Sequence, residues 1–174
     1  ISPTVGIGGL TAVCENETAT YSVPKWMSVL YNWQVSGGTI ESAVTVQSGG
    51  VVTMSSGSFS GSVDLAAGAS MTVTGGTFSG SVTGAGSFEL AGGSWRTSTI
   101  DAAGPRIWSG GYIFDELTIP AGGHLEISGT ASKTLYGKLI IDADATATVS
   151  GTGQIRLYER IGYGYAGRIV NRGS

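Results

Sequence analysis

Cysteine, histidine, proline and charge are all scarce in this sequence. The 174 residues include one cysteine, Cys14, one histidine, His124, and four prolines, and only 12% of them are charged. A single cysteine cannot form a disulfide within the chain and says little about the redox compartment. A net charge of −3 gives no electrostatic basis for binding nucleic acid. No run of 18 apolar residues is present, so we expect no membrane insertion and no nucleic-acid partner for this segment.

Glycine is the residue in excess. The chain holds 30 glycines, well above the average usage of about 7%. Apolar residues make up 41% of the sequence, which is enough to bury a core in a chain of this length. Many glycines belong to a recurring four-residue phrase, in which an apolar anchor residue precedes small residues and glycine. Close copies begin at Val35, Met54, Val73, Leu90 and Trp108, and looser copies begin at Ile127, Val149 and Val170.

The anchors recur with a spacing of 17 to 22 residues. Apolar residues also fall two residues before the anchor, five after it, and nine and eleven after it, as at Trp33, Ile40, Val44 and Val46 around Val35. This alternation is typical of three short strands per unit with glycine at the corners. Repeats of this length indicate stacked coils. The sequence therefore predicts an all-β fold, a right-handed parallel β-helix (β-solenoid) of about seven coils over residues 34–174. An antiparallel β-sandwich is the alternative.

Residues 1–33 do not follow the repeat. They hold Cys14, then the motifs A-T-Y-S-V-P and Y-N-W just before the first anchor. These motifs resemble the PKD-like, immunoglobulin-type modules of Bacteroidetes surface proteins, in which such a cysteine and such strands lie in the sandwich core. The resemblance stops where the solenoid phrase begins. We therefore expect a non-repeating N-terminal β cap on the first coil, with Cys14 as a small buried hydrophobe.

The later units resemble the coils of bacterial β-helical adhesins. The matching phrases lie within residues 106–174: W-S-G-G from Trp108, L-T-I-P-A-G-G-H-L-E-I from Leu117, and I-V-N-R-G from Ile169. These phrases indicate the repeat pattern of a solenoid and do not point to a particular chemistry. The resemblance implies an extracellular location at the bacterial cell surface. The register still runs at Val170, so we expect further coils or another subunit beyond it.

The sequence offers little for catalysis. Nucleophilic catalysis needs a nucleophile, a base and an orienting group, yet His124 lies in a predicted corner and no serine lies in a G-x-S-x-G elbow. We predict no catalytic residue, no cofactor and no enzyme activity. Two pairs of acids, Asp115 with Glu116 and Asp142 with Asp144, are candidates for a calcium clip, because calcium prefers oxygen ligands. The alternative for both pairs is ordinary solvated turn charge.

Basic and tyrosine residues concentrate toward the end of the chain. Six of the nine Lys and Arg residues, and four of the seven tyrosines, follow residue 132. Planar rings stack on sugar faces and cations attract acidic groups, so these residues predict a weak glycan patch. Its members are Tyr136, Arg156, Tyr158, Arg160, Tyr163 and Tyr165. The alternative is a long corner loop, G-Y-G-Y-A-G, whose aromatics cover the side of the column.

The residue before each anchor is expected to face outward. This row contains two glutamates, Glu89 and Glu126, and two isoleucines, Ile107 and Ile169, which break any regular threonine surface. Arginine stands at the inward position just before each isoleucine. The pattern therefore leaves open whether these two isoleucines turn inward instead.

These observations favour a structural role. The leading hypothesis is a rigid spacer or fibre building block of a secreted bacterial adhesin or surface fibre. The alternative is a carbohydrate-active β-helix that binds or cleaves an acidic polysaccharide through its Lys-, Arg- and Tyr-rich coils. The expected partners are surface glycans, and coils or subunits that stack end to end on the strand Arg168–Asn171, because a regular open edge is a template for another strand.

Overall fold

The computed structural model describes residues 32–35, 37–96, 98–160 and 164–172. Every regular element in these ranges is a β-strand. No helix in this part of the chain is long and apolar enough to cross a membrane. The predicted N-terminal cap, including Cys14, lies outside the described residues, apart from the first strand, which begins at Asn32.

The strands form seven layers. The first four layers contain β1 (Asn32–Val35), β2 (Thr39–Ile40) and β3 (Val44–Val46); β4 (Val51–Met54), β5 (Ser58–Phe59) and β6 (Ser62–Leu65); β7 (Ser70–Val73), β8 (Thr77–Phe78) and β9 (Ser81–Gly84); and β10 (Ser87–Leu90), β11 (Ser94–Trp95) and β12 (Ser98–Ala102). The last three contain β13 (Arg106–Trp108), β14 (Gly111–Ile113) and β15 (Glu116–Ile119); β16 (His124–Ile127), β17 (Lys133–Leu135) and β18 (Lys138–Ile141); and β19 (Thr146–Val149), β20 (Ile155–Leu157), β21 (Glu159–Arg160), β22 (Tyr165–Ala166) and β23 (Arg168–Asn171).

Each strand pairs with its equivalents in the layers below and above. The first sheet runs β1-β4-β7-β10-β13-β16-β19, the second runs β2-β5-β8-β11-β14-β17-β20, and the third runs β3-β6-β9-β12-β15-β18-β23. All of these pairings are parallel, and only the small hairpin β21–β22 is antiparallel among the described strands. The predicted parallel β-solenoid is therefore confirmed, and the antiparallel sandwich is excluded.

The anchors of the repeat lie directly above one another in the first sheet. Val35 is level with Met54, and the column continues through the other anchors as far as Ile127 and Val149. The prediction of an eighth anchor at Val170 is wrong, because Val170 is level with Ile140 in the third sheet. The hairpin β21–β22 lengthens the last layer before β23, so the spacing of 21 residues to Val170 is a coincidence.

The third sheet changes register within β12. Ile100 is level with Val82 of the layer below, whereas Ser98 is level with Leu117 of the layer above. The two halves of the sheet are thus offset by two residues. Because side chains alternate with a period of two, this offset leaves the apolar side chains of Ile100 and Leu117 buried on the same face.

Apolar columns fill the interior of the coil. The second sheet contributes Phe59, Phe78 and Trp95, whose rings stack with centroids 5.1 and 4.8 Å apart. Phe88 of the first sheet meets Trp95 edge to face at 5.2 Å. These pairs add to the burial energy of a core that continues from layer to layer.

Glycines at the corner after the first sheet allow this close stacking. Gly76 has a φ of +79°, and a Cβ placed there would lie 2.5 Å from the carbonyl oxygen of Gly57 in the layer below. The repeated glycines therefore satisfy both a left-handed backbone and a backbone contact between layers.

The ambiguity at Arg106 is resolved in favour of the regular register. Arg106 is level with Phe88 of the layer below, faces inward and is buried, whereas Ile107 faces outward and is partly exposed. Ile169 belongs to the third sheet, level with Leu139, and does not continue the outward row.

Candidate functional site

An outward row of four residues follows the second sheet. Arg96, Phe114, Tyr136 and Tyr158 each come directly after a strand of that sheet, in the fourth to seventh layers. The backbone N–H of each donates to a carbonyl of the layer below, at 2.8 to 2.9 Å, in the same pattern as a sheet. For example, Phe114 N–H donates to Trp95 O at 2.9 Å, and Tyr136 N–H donates to Ile113 O at 2.8 Å. We call these four residues the outer aromatic row.

The side chains of the outer aromatic row form a continuous stack. The Arg96 guanidinium carbon lies 4.5 Å from the centroid of the Phe114 ring, a cation–π contact. Phe114 and Tyr136 stack with centroids 4.6 Å apart and planes 7° from parallel. Tyr158 meets Tyr136 edge to face, with centroids 4.8 Å apart. Tyr112 lies beside the row, 6.1 Å from both Phe114 and Tyr136.

This geometry limits how the row can meet a sugar. A sugar stacks on an open ring face, and the facing sides of Phe114 and Tyr136 are already covered by each other. Tyr112 and Tyr158 are 44% and 41% exposed and keep accessible ring surface. The stacked rings of Phe114 and Tyr136 therefore connect two layers, whereas the more exposed rings of Tyr112 and Tyr158 offer surface for a ligand.

The predicted glycan patch is brought together only in part. Tyr136 and Tyr158 are in contact within the outer aromatic row. Arg156, two residues before Tyr158, is level with Thr134 in the second sheet, and its guanidinium donates to Gln154 Oε1 at 2.9 and 3.2 Å. The backbone of Arg160 pairs with that of Tyr165 in the β21–β22 hairpin. Tyr163 lies outside the described residues.

Three members of this surface were missed by the sequence reasoning. Arg96, Tyr112 and Phe114 come before residue 132, where the basic and tyrosine-rich region begins. The sequence could have revealed the outer aromatic row, because each of its residues directly follows the inward apolar residue of a second-sheet strand. In the last two layers three extra residues separate the anchor from this position, which hides the equivalence.

The seventh layer presents an apolar surface along the column axis. Val149, Leu157 and Ile169 are 60%, 55% and 44% exposed. Their equivalents in the sixth layer, Ile127, Leu135 and Leu139, are buried. The end of the described column is thus an apolar layer with three sheet edges, which is the arrangement to which another β layer can add.

The predicted acidic pairs are met by cations of neighbouring layers. Asp115 lies 4.0 Å from Arg96 Nη1, and Glu116 lies 3.5 Å from Lys138 Nζ. Asp142 Oδ1 accepts a hydrogen bond from Arg172 Nη1 at 3.1 Å. No three His, Cys, Asp or Glu side chains gather at a metal-binding distance in the described ranges. A calcium clip at Asp142 and Asp144 stays a prediction.

Two cations point into the column. Lys133 is 1% exposed, and its Nζ donates to the carbonyl of Ala131 at 3.0 Å. Burial lowers the pKa of Lys133. Arg106 is 6% exposed, and burial lowers its pKa, an effect partly opposed by the negative charge of Asp101.

His124 and the corner around Arg106 form an open groove. The groove has a volume of about 510 Å³ and is lined by Asp101, Ala103, Gly104, Pro105, Arg106, Ala121, Gly122, Gly123 and His124. His124 is exposed, as its corner position predicts, and its Nδ1 lies 2.7 Å from Thr146 Oγ1 of the layer above.

Comparisons with models of protein families, with curated proteins and with solved structures found no match to this chain.

Proposed function

We propose that this chain is a structural segment, a rigid spacer or fibre building block, of a secreted bacterial adhesin or surface fibre. The observation that carries the proposal is the axial continuity of the column. Three parallel sheets, an inner stack of Phe59, Phe78 and Trp95, and the outer aromatic row all run along the same axis. A body joined in this way resists bending, because bending would open contacts on at least one side.

Stiffness can be measured between spin labels on the outward row of the first sheet. Thr53 and Thr148 belong to this row in the second and seventh layers, five layers apart. At about 4.8 Å per layer their backbones are separated by about 24 Å. Pulsed dipolar spectroscopy on Thr53→Cys/Thr148→Cys, with Cys14→Ser to remove the native thiol, should give one narrow distance distribution.

The matched control moves one label by a single layer. Thr53→Cys/Glu126→Cys spans four layers, so its mean distance should be shorter by about 5 Å and equally narrow. A distribution broadened over tens of ångströms in either pair would exclude a rigid spacer. Antibody labelling of intact cells of the source organism tests the surface location separately, and labelling only after lysis would contradict it.

We further propose that the seventh layer is covered in the assembled protein by another layer of β-structure. The apolar residues that it presents, Val149 and Leu157, occupy the same columns as buried residues of the sixth layer. Concentration-dependent association in sedimentation velocity should weaken in Leu157→Lys and persist in Tyr112→Lys, whose site lies on the side of the column. A strictly monomeric wild-type chain at high concentration would count against stacking between copies.

Carbohydrate binding is the second candidate function. The observation that favours it is the accessible margin of the outer aromatic row, where Tyr112 and Tyr158 lie on the same side of the column as Arg156. A glycan array should then show binding to acidic glycans that falls in both Tyr112→Ala and Tyr158→Ala. Cleavage of pectate, alginate or glycosaminoglycans would overturn the structural proposal in favour of an enzyme.

A further inference from the structure

Arg106 is an unusual member of an apolar column. It occupies the inward position that Phe88 takes in the layer below and Leu125 takes in the layer above, and only 6% of it is exposed. Its guanidinium lies at the corner that leads into the next layer, next to Gly123. A Cβ built on Gly123 would be only 2.6 Å from Arg106 Nη1. The aliphatic part is thus buried among core residues while the guanidinium borders the groove.

No described carboxylate forms an ion pair with the guanidinium, and the negative charge of Asp101 acts on it from beyond ion-pair distance. Nε of Arg106 is buried without a hydrogen-bond acceptor, and no described carboxylate lies within 4.0 Å of its nitrogens. A buried charged donor without a partner is destabilising, so such a group is normally met by an anion or by water. Gly104, Gly122 and Gly123 line this groove without side chains.

The charges around the groove select the kind of anion. Arg106 contributes one positive charge, and Asp101 on the rim contributes one negative charge. Asp101 repels any anion that enters, and it repels a dianion such as phosphate more strongly than a single carboxylate, which can still form the planar, two-pronged pair that a guanidinium favours. The volume of about 510 Å³ falls within the range of small-ligand sites and exceeds what a bare ion requires.

We propose that this groove, which we call the Arg106 groove, is a binding site for a carboxylate-bearing sugar of the uronate class. Arg106 pairs with the carboxylate. Asp101 at the rim accepts hydrogen bonds from sugar hydroxyl groups. His124 forms a hydrogen bond with a hydroxyl through Nε2, while its Nδ1 is held by Thr146 Oγ1. Pro105 and Ala121 supply the apolar walls. The site lies at the corner before the first sheet and is independent of the outer aromatic row and of the spacer function.

The test is a titration of the full chain with three probes: acetate, galacturonate and a galacturonate oligomer. NMR detection of the Arg106 Nε–H signal reports the site directly. We expect galacturonate and the oligomer to shift this signal saturably, with acetate at least about tenfold weaker because it lacks the hydroxyl contacts. Equal binding of acetate and galacturonate would overturn the sugar assignment, and no shift with any probe would overturn the site.

Two substitutions and a matched control complete the test. Arg106→Met keeps most of the length of the buried side chain and should abolish galacturonate binding without lowering the melting temperature. Arg106→Lys keeps the charge without the two-pronged geometry and should weaken binding about tenfold or more. Arg168→Met removes the same charge from the third sheet, outside both candidate sugar sites, and should leave this binding unchanged. Undiminished binding by folded Arg106→Met would overturn the proposal, whatever is found for the outer aromatic row.

Discussion

Phe114 and Tyr136 stack face to face on the outside of the column, with ring centroids 4.6 Å apart and planes 7° from parallel. They belong to successive layers, so the outer surface repeats what Phe78 and Trp95 do inside. A solenoid is usually held by its interior and its backbone. Here aromatic contacts on the surface add a third connection between the fifth and sixth layers.

A double-mutant cycle measures this connection. Phe114→Ala, Tyr136→Ala and the double variant should give a coupling of about 0.5–1.5 kcal/mol in the free energy of unfolding, the range found for aromatic pairs. The cycle of Phe114→Ala with Tyr158→Ala joins residues two layers apart that meet only through Tyr136, and its coupling should be clearly smaller. Equal couplings in the two cycles would mean that the stack acts as a diffuse apolar cover.

Lys133 makes stability depend on pH. Burial lowers the pKa of its ammonium in the folded protein below the 10.5 of a lysine in water. The unfolded chain therefore binds more protons than the folded chain between these two pKa values. Stability rises with pH in that range, since the burial cost is fully present below the folded pKa and is relieved as pH approaches 10.5.

The measurement compares wild type with Lys133→Met. The difference in unfolding free energy, Lys133→Met minus wild type, should be positive near neutral pH and shrink as pH rises toward 10.5. Each unit of pKa depression corresponds to about 1.4 kcal/mol. Lys138→Met removes a partly exposed lysine, paired with Glu116, and controls for the loss of one positive charge. A difference that is constant with pH would show that Lys133 is no more costly when charged than when neutral.

Substitutions at two glycines distinguish the cost of a strained backbone from the cost of a clash between layers. Gly76 and Gly122 have similar φ values, +79° and +72°. A Cβ at Gly76 would lie 2.5 Å from Gly57 O, whereas a Cβ at Gly122 would have no atom within 4 Å. Gly122→Ala should cost about 1–2 kcal/mol from the left-handed backbone alone. Gly76→Ala should cost more by several kcal/mol or prevent folding, as chemical denaturation would show. Equal losses would mean that the layers can separate to admit a methyl group.

Asp144 holds a position that glycine suits better. It is the third residue of a turn closed by Ala145 N–H to Asp142 O at 3.0 Å, and its φ of 60° matches the glycines of equivalent turns, Gly49, Gly68 and Gly122. Such turns favour glycine there. Asp144→Gly should therefore raise stability by about 0.5–1 kcal/mol, and Asp144→Ala should not. If Asp144→Gly were destabilising only in the presence of calcium, the carboxylate would be a calcium ligand.

The fold could be predicted from the sequence because its repeat is a geometric rule. Seven anchors from Val35 to Val149 fall in one column, since a constant offset of apolar residues has one parallel stacking that buries all of them. The rule failed at Val170, because an inserted hairpin restored the spacing by chance while moving the strand to another sheet. The spacing of a repeat gives the number of residues between two positions. It does not show in which sheet of the column the second position lies.

The candidate sites could be predicted less well. Tyr136 and Tyr158 were found from composition, but their neighbours Phe114 and Arg96 belong to coils of different length and become adjacent only in three dimensions. The Arg106 groove had a clear signal, an arginine at an inward position. The groove itself could not be predicted, because the spacing of the repeat does not determine that the Arg106 side chain extends to the corner.

The change of register in β12 determines which insertions and deletions this column can accept. Ile100 is level with Val82 below and Ser98 is level with Leu117 above, so the segments of β12 that pair with the two neighbouring layers are offset by two residues, one full pleat, and Ile100 stays buried. A slide of one residue would have exchanged core and solvent faces in every layer beyond it. We therefore expect an insertion of two residues within a strand to be tolerated better than an insertion of one, because two residues keep every side chain on its own face. The corners already differ in length between layers, as 128–132 and the β21–β22 hairpin show, so parity limits the faces of the column and not its edges.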